Sequence, residues 1–328
     1  MLLVPKQYLI DSKDTLLIST AATNNEFDAC YLGAVARSKI NFNCNITYDS
    51  SLIEFPQIDS FTLGMLLSGY KFEKYLNKKN DSMELTFDKS IDISDQQATR
   101  DAVYFVRDLV NTPTLDKTPE FFIDEVQKLI ENEKITLDIH NQEWLKQEGF
   151  GGVLGVSQGS AKEPYLLVGE YNKSAKFKVS IIGKGVLFDT GGYSMKSPSG
   201  METMKTDMAG AATAWAIIKL AASFKLNIGV KVLTPLVENM VSSTAIRPGD
   251  VLTMRNKKTI EVLNTDAEGR LIMADALAYA AEESPNLLCD VATLTGASYV
   301  ALGLDIGAVF SNEMTLANNF VEANSSGV

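Results

Sequence analysis

One histidine, His140, is all that the 328 residues contain. That excludes every mechanism needing two imidazoles, and with it the His-rich zinc sites. Cysteine is nearly as scarce. Cys30, Cys44 and Cys289 are odd in number, far apart, and form no C-x-x-C pair. They read as reduced packing thiols in a cytosolic setting. Long apolar runs are missing too. The most apolar helix candidate, Ala209–Ala222, is broken by Lys219 and is too short to span a bilayer. The opening Met-Leu-Leu-Val-Pro-Lys carries no basic n-region and no long apolar h-region, so no membrane anchor is expected. Positive charge is also short: Lys+Arg number 30 against 41 Asp+Glu, for a formal net charge of −11. An acidic chain repels phosphate backbones, which sets nucleic acid aside as a partner.

What is present is an ordinary globular composition, 45% hydrophobic and 22% charged, on a length that favours two domains. Residues 1–90 read as a small N-terminal α/β domain. It has a strand at Thr15–Ser19 and helices at Asp28–Arg37 and Thr62–Tyr75. The polar stretch Asn77–Asp95, with a short strand at Met83–Phe87, marks the junction. Residues 91–328 form the larger domain. An amphipathic helix with apolar Ala98, Ala102, Phe105, Val106 and Leu109 follows a Ser94 N-cap and stops at Pro113. A second helix runs from Pro119 to Glu131. Strands are expected at Ile135–Ile139, Tyr165–Tyr171, Lys178–Ile182, Ile228–Leu233, Leu287–Leu294 and Ile306–Phe310, with helices at Ala209–Phe224 and Leu271–Glu282. Such alternation predicts an α/β fold with a mostly parallel sheet flanked by helices.

Three segments carry chemical groups at suggestive spacings. Asn264–Leu271 reads Asn-Thr-Asp-Ala-Glu-Gly-Arg-Leu, which sets Asp266, Glu268 and Arg270 at alternate positions. On extended backbone these side chains converge, and two hard oxygen donors beside a permanent cation suit a metal-and-anion site. The same run also fits a capping box, with Thr265 as cap and Glu268 three residues on. The second segment, 183–192, places Lys184 and Asp189 after a strand, where open α/β sheets bind ligands. A solvated lysine and a plain turn account for it equally. It is no P-loop: Lys178 stands five before Gly183, and Gly185 follows Lys184. In the third, Asp207 opens a small-residue helix and reads first as an N-cap, with Lys196 in the loop before it. Gly155–Gly159 matches the G-x-S-x-G elbow around Ser157, but glycines precede it and the one histidine lies upstream of the serine. The hydrolase triad is therefore rejected.

Taken together these segments resemble the leucyl aminopeptidase (cytosol aminopeptidase) family of two-metal exopeptidases. The resemblance rests on Gly183–Gly185, Phe188–Gly192, Lys196, Met204–Met208 and Asn264–Leu271. Weaker echoes lie at Leu67–Tyr75, Arg107–Pro113 and Leu294–Ala297, so the match runs from about residue 64 onward. It implies a phosphorylase/hydrolase-like catalytic domain that removes N-terminal residues from peptides. Lys184, Asp189, Asp207, Asp266 and Glu268 would be the ligands of two divalent ions, zinc or manganese. Asp189 and Glu268 would be shared, Asp266 would serve one ion, and Lys184 and Asp207 the other. Lys196 and Arg270 would be the catalytic pair, with a bicarbonate held at Arg270. Met204, Thr293, Leu294 and Gly296 would line an apolar pocket for the first side chain. A cytoplasmic homo-hexamer is also implied.

Thr190 and Tyr193 depart from the family's commoner residues, and the N-terminal domain is short. By the same resemblance the sequence stops at Val328 inside a continuing catalytic domain, so a C-terminally truncated domain is expected. That keeps a catalytically impaired or structural family member in play. A di-metal phosphoesterase is the other rival, which the lysine ligand and the Lys196/Arg270 pair disfavour.

Overall fold

The computed structural model describes residues 8–12, 15–18, 26–40, 44–46, 55–77, 85–87 and 92–325. Contacts divide the chain into two compact units, residues 1–101 with 296–328 and residues 102–295. Among the described residues no helix is long and apolar enough to cross a membrane.

In the first unit β1 (Tyr8–Ser12) pairs antiparallel with β2 (Thr15–Ile18). Helices α1 (Glu26–Lys39) and α2 (Phe55–Leu67) bury Leu32, Ala36, Ile40, Phe61 and Met65 between and around them. Their backbones meet because neither carries a Cβ at the crossing. One added at Gly33 would lie 2.0 Å from Phe61 O, and one at Gly64 1.8 Å from Cys30 O. β3 (Cys44–Ile46) runs parallel to β4 (Leu85–Phe87). The helix expected over Thr62–Tyr75 lies earlier, ending at Leu67. Ser68 and Gly69 close its last turn on Gly64 O and Leu66 O. Residues 83–84 and Ser19, parts of two expected strands, lie outside the described residues.

Helix α3 (Ser94–Asn111) has Ser94 as its first residue rather than its cap; the Ser94 amide donates to Asp92 Oδ1 at 3.0 Å. In the second unit α4 (Pro119–Ile130) is capped by Thr118 with Pro119 in its first turn. There follow β5 (Ile135–His140), α5 (Gln142–Gln147), α6 (Gly151–Ser157), β6 (Tyr165–Tyr171), β7 (Lys178–Gly183) and β8 (Gly185–Asp189). After α7 (Pro198–Met201) and a 3-10 turn (Met204–Thr206) come α8 (Ala209–Ser223), β9 (Gly229–Asn239), the hairpin β10 (Val251–Thr253) and β11 (Thr259–Glu261), α9 (Glu268–Ala281) and β12 (Leu287–Val291). The described chain closes with α10 (Ala297–Leu302) and α11 (Met314–Ser325).

The central sheet runs β12-β7-β9-β6-β5, with β8 also on β9. β12·β7, β7·β9 and β8·β9 are parallel; β6·β9 and β5·β6 are antiparallel. The fold is therefore α/β with a helix-flanked, mixed sheet whose parallel part carries β7 and β8. Successive strand residues feed opposite faces. Leu167, Ile181 and Val232 join Phe122, Val126 and Trp215 on one face. Val168, Ile182 and Leu233 join Phe150, Val153 and Ile272 on the other. With both faces covered, these strands read as continuous apolar runs. β9 is long because it serves β7 along its first half and β8 along its second, while β6 also pairs with it.

One expected strand is absent and one unexpected strand is present. Ile306–Phe310 forms no strand, and Ile306 and Phe310 are 61% and 87% exposed. Strand β8, with glycine at its start, has no counterpart among the expected strands. Expected strand Leu287–Leu294 ends at Val291, and α9 begins three residues before Leu271. Ser157 lies in the last turn of α6 and donates back to Leu154 O at 3.1 Å, which is no nucleophile elbow. His140 stacks on Trp144 at 3.8 Å between ring centroids, a packing role.

Candidate metal centre

Lys184 is the single residue between β7 and β8. Its main chain is fixed on both sides: its N–H donates to Val291 O at 3.0 Å, and its carbonyl accepts from Ala211 N at 2.9 Å. This places an ammonium group in the interior, on a residue only 2% exposed. Its Nζ lies 2.8 Å from Asp207 and 2.9 Å from Glu268 Oε1, and donates to Thr293 O at 3.1 Å. Asp207 follows the 3-10 turn, and its Oδ1 also accepts from the Thr293 hydroxyl at 2.7 Å.

Asp189 ends β8, beside the end of β9. Gly191 and Gly192, both at positive φ, then turn the chain so that Lys196 returns over the strand end. Lys196 Nζ is 2.9 Å from Asp189 Oδ2 and 2.5 Å from Asp266 Oδ1. Glu268, the first residue of α9, completes the cluster. Asp189, Asp266 and Glu268 each bring one carboxylate oxygen within 4.8 Å of the others. Glu268 thus belongs to two groups, with Asp189 and Asp266 on one side and with Lys184 and Asp207 on the other.

The charge balance is uneven. Four carboxylates face two ammonium groups, and the deficit shows in the ionisation of the buried members. Burial pushes Glu268 up to about 7; Lys184 opposes this, and neighbouring Asp189 adds to it. Burial raises Asp207 likewise against the pull of Lys184. Burial also disfavours the Lys184 ammonium, but Glu268 and Asp207 outweigh it and hold the group above the ordinary lysine range. Lys196 is raised in the same way by Asp266 and Asp189. Three buried oxygens of the cluster have no aligned hydrogen bond: Asp207 Oδ2, Asp266 Oδ1 and Glu268 Oε2. The first two are held only by ammonium charge, and Glu268 Oε2 has no partner among the described residues. Hard oxygen donors, surplus negative charge and orphaned lone pairs in one buried place are what a divalent cation requires. The residues present fit such an ion.

Most of the expected site residues therefore come together, with corrections to their local geometry. Residues 264–270 are not extended. α9 starts at Glu268, and residues two apart on a helix point about 200° apart, so Arg270 does not share Glu268's direction. Arg270 is exposed and makes no hydrogen bond or ion pair among the described residues. Thr265 caps nothing. Ala267 is the N-cap and lacks a side-chain bond, while Thr265 Oγ1 donates to Gly191 O at 2.6 Å and accepts from Ser194 N at 2.8 Å. The glycine turn offers main-chain partners that out-compete the helix end. Asp207 is no N-cap either, since Met208 holds that place and the carboxylate turns to Lys184. Met204 is half-buried in the 3-10 turn, Leu294 is 40% exposed, and Thr293 bonds Asp207. Gly296 belongs to the other unit.

Two buried residues went unseen in the sequence. Asn239 donates to Asp189 and to Thr265 O; Lys117 donates to Leu109 O and Lys205 O. Neither stands near the site residues in sequence. The only available signal is a polar residue inside an otherwise apolar strand, which for Asn239 is real but weak.

Known proteins resemble this chain in sequence and in fold. A model of the cytosol aminopeptidase family's catalytic domain matches residues 104–327. A probable cytosol aminopeptidase of Syntrophotalea carbinolica is 42% identical over 276 residues, covering 79% of this chain and 56% of that protein. The chain spans about half the length of the curated relatives it matches. The crystal structure of cytosol aminopeptidase from Coxiella burnetii superposes with a TM-score of 0.85 at 31% identity, over 92% of this chain and 65% of that one. The bottromycin maturation enzyme BotP, solved in complex with Mn, gives 0.85 at 29% identity, over 94% and 70%. With most of its length matched by the family's own model, the chain belongs to the cytosol aminopeptidase family.

Proposed function

We propose that this chain forms the metal-binding part of an aminopeptidase that removes apolar N-terminal residues from peptides with the help of two divalent ions. The observation that carries the reading is the buried cluster of Asp189, Asp266 and Glu268, joined through Glu268 to Lys184 and Asp207, with oxygens left unpartnered. These five residues would hold the ions, zinc or manganese; the manganese complex of BotP supports the latter. Ions bound there supply a water of lowered pKa and a polarised scissile carbonyl.

The chain's own groups account for the rest. Lys184 serves as a ligand only as the neutral amine, because an ammonium has no lone pair. Lys184 would take that form beside a dication, whose charge would offset the carboxylates that hold its proton. Lys196 keeps its charge and faces the cluster, where it can stabilise negative charge developing on the carbonyl oxygen. Arg270, exposed and unpaired among the described residues, presents a fork suited to a planar anion such as bicarbonate, the candidate general base. The centre, once loaded, would take the substrate's free α-amine, which would limit cleavage to the first peptide bond. Met204, Thr293 and Leu294, all in residues 102–295, would receive the first side chain, and the two apolar members favour leucine-like residues. A cytoplasmic homo-hexamer is part of the same proposal.

The test is release of leucine from leucine amide by purified, folded protein with Mn²⁺ or Zn²⁺, with and without chelator. Metal-dependent, chelator-sensitive release is expected. Folded protein that releases no leucine at any metal concentration overturns the enzyme reading.

A further inference from the structure

We propose that Asn239 is a positioning residue that selects which oxygen of Asp189 faces the cluster and fixes the separation of Asp189 from Asp266. The proposal rests on the reading of those carboxylates as metal ligands. Asn239 closes β9, is 1% exposed, and stands in register beside Asp189. Its Nδ2 donates to Asp189 Oδ1 at 2.8 Å and to Thr265 O at 3.0 Å. Gly191 N donates to the same Oδ1 at 2.8 Å. With two neutral donors on Oδ1, the carboxylate cannot rotate freely, and Oδ2 is left to face Lys196. The second bond reaches the residue just before Asp266. The Asn239 carbonyl meanwhile accepts from Thr190 N at 3.0 Å and Thr190 Oγ1 at 2.9 Å. One amide side chain and its own main chain thus tie β8, the glycine turn and the 264–268 run together.

No other residue type does this. The site needs two N–H groups on one short planar side chain, each aimed at an acceptor. Aspartate would set an oxygen against Asp189 Oδ1 and Thr265 O, both acceptors. Leucine keeps the shape and removes both donors. Partners of this kind behind a metal ligand are worth on the order of 10–100-fold in metal affinity.

Asn239→Leu and Asn239→Asp would be compared with the unaltered chain by hydrogen exchange of the metal-free protein and by calorimetric titration with Mn²⁺. In both variants we expect amide exchange to quicken at least tenfold over 190–196 and 265–268, with that of β6 and β7 unchanged. Mn²⁺ affinity should fall by at least tenfold. Exchange unchanged in those two segments, or quickened equally throughout the sheet, overturns the positioning role whatever happens to Mn²⁺. If the unaltered chain binds no Mn²⁺ the metal reading fails by itself, and the exchange result still decides whether Asn239 orders the two loops. If the leucine variant does not fold, the aspartate variant, equal in size and polar, decides.

Discussion

Lys184 reaches its three partners only because the residue facing it has no side chain. A Cβ built on Gly269 would lie 2.4 Å from Lys184 Cε and 2.8 Å from Nζ. Gly269 is the second residue of α9, where alanine is the better helix former by about 1 kcal/mol. Breaking a buried ion pair costs about 3–5 kcal/mol, because it leaves charge unpaired inside. The second effect is larger, so Gly269→Ala should lower the stability of the metal-free protein despite its gain in propensity. Urea titration checks this; a midpoint equal to or above the unaltered chain's would show that Lys184 moves aside freely. At this scale the sequence displayed the charged groups but not their partners. Lys184, Asp189, Asp207, Asp266 and Glu268 stood out by type and spacing. Thr265 and Asp207 also matched cap patterns, and spacing alone could not tell which acceptor or donor each would meet. The competing partners, Gly191 O and Lys184 Nζ, lie 74 and 23 residues away.

The elements that hold the site are joined by a further buried carboxylate, outside the cluster. Asp275, on α9, accepts from Gly152 N at 2.7 Å and Val153 N at 3.1 Å in the first turn of α6, and from Arg255 N at 2.8 Å after β10. It is fully buried. α6 has no side-chain cap of its own, so the helix end is satisfied from another helix. Asp275→Ala strands three main-chain donors. At about 1–3 kcal/mol for each donor left unsatisfied, a loss of about 3 kcal/mol or more is expected. It would be read as a lower urea midpoint at unchanged slope. A loss under about 1 kcal/mol would mean that water replaces the carboxylate. Strands β5, β6, β7 and β9 were readable because apolar runs bounded by polar turns leave little choice. β8 was not, because two glycines and a lysine interrupt the run and its pairing depends on the far half of β9. Ile306–Phe310 has a strand-like composition but no neighbour among the described residues to pair with. Composition measures suitability for a sheet, not the presence of one.

At the scale of the molecule, the fold class followed from the alternation of strands and helices. What that alternation hides is the one lysine that is completely buried among the described residues. Lys117, between α3 and α4, is 0% exposed, and its Nζ donates to Leu109 O at 2.8 Å and Lys205 O at 2.5 Å. In return Lys205 Nζ donates to Asn111 O at 2.7 Å, so the end of α3 and the turn before Asp207 are clasped twice. Burial, with Lys205 nearby, lowers Lys117 to about 7. A neutral amine has two N–H groups for these two carbonyls, so the clasp survives loss of the proton. Unfolded, the lysine titrates near its ordinary 10.5. Between those values the unfolded chain binds more protons than the folded one, so this group's contribution to stability rises with pH and is smallest below 7. The gain can approach about 1.4 kcal/mol per pH unit within the window. The rest of the chain complicates a direct reading, because an acidic molecule repels itself more strongly as its other lysines lose charge. The difference between the unaltered chain and Lys117→Met removes that background. With two compact units the transition followed must be that of residues 102–295, for example through the fluorescence of Trp144 and Trp215. The advantage of the unaltered chain over Lys117→Met should widen between pH 7 and pH 9. A difference that stays flat would mean that Lys117 keeps its proton in the interior and holds the two carbonyls as a cation.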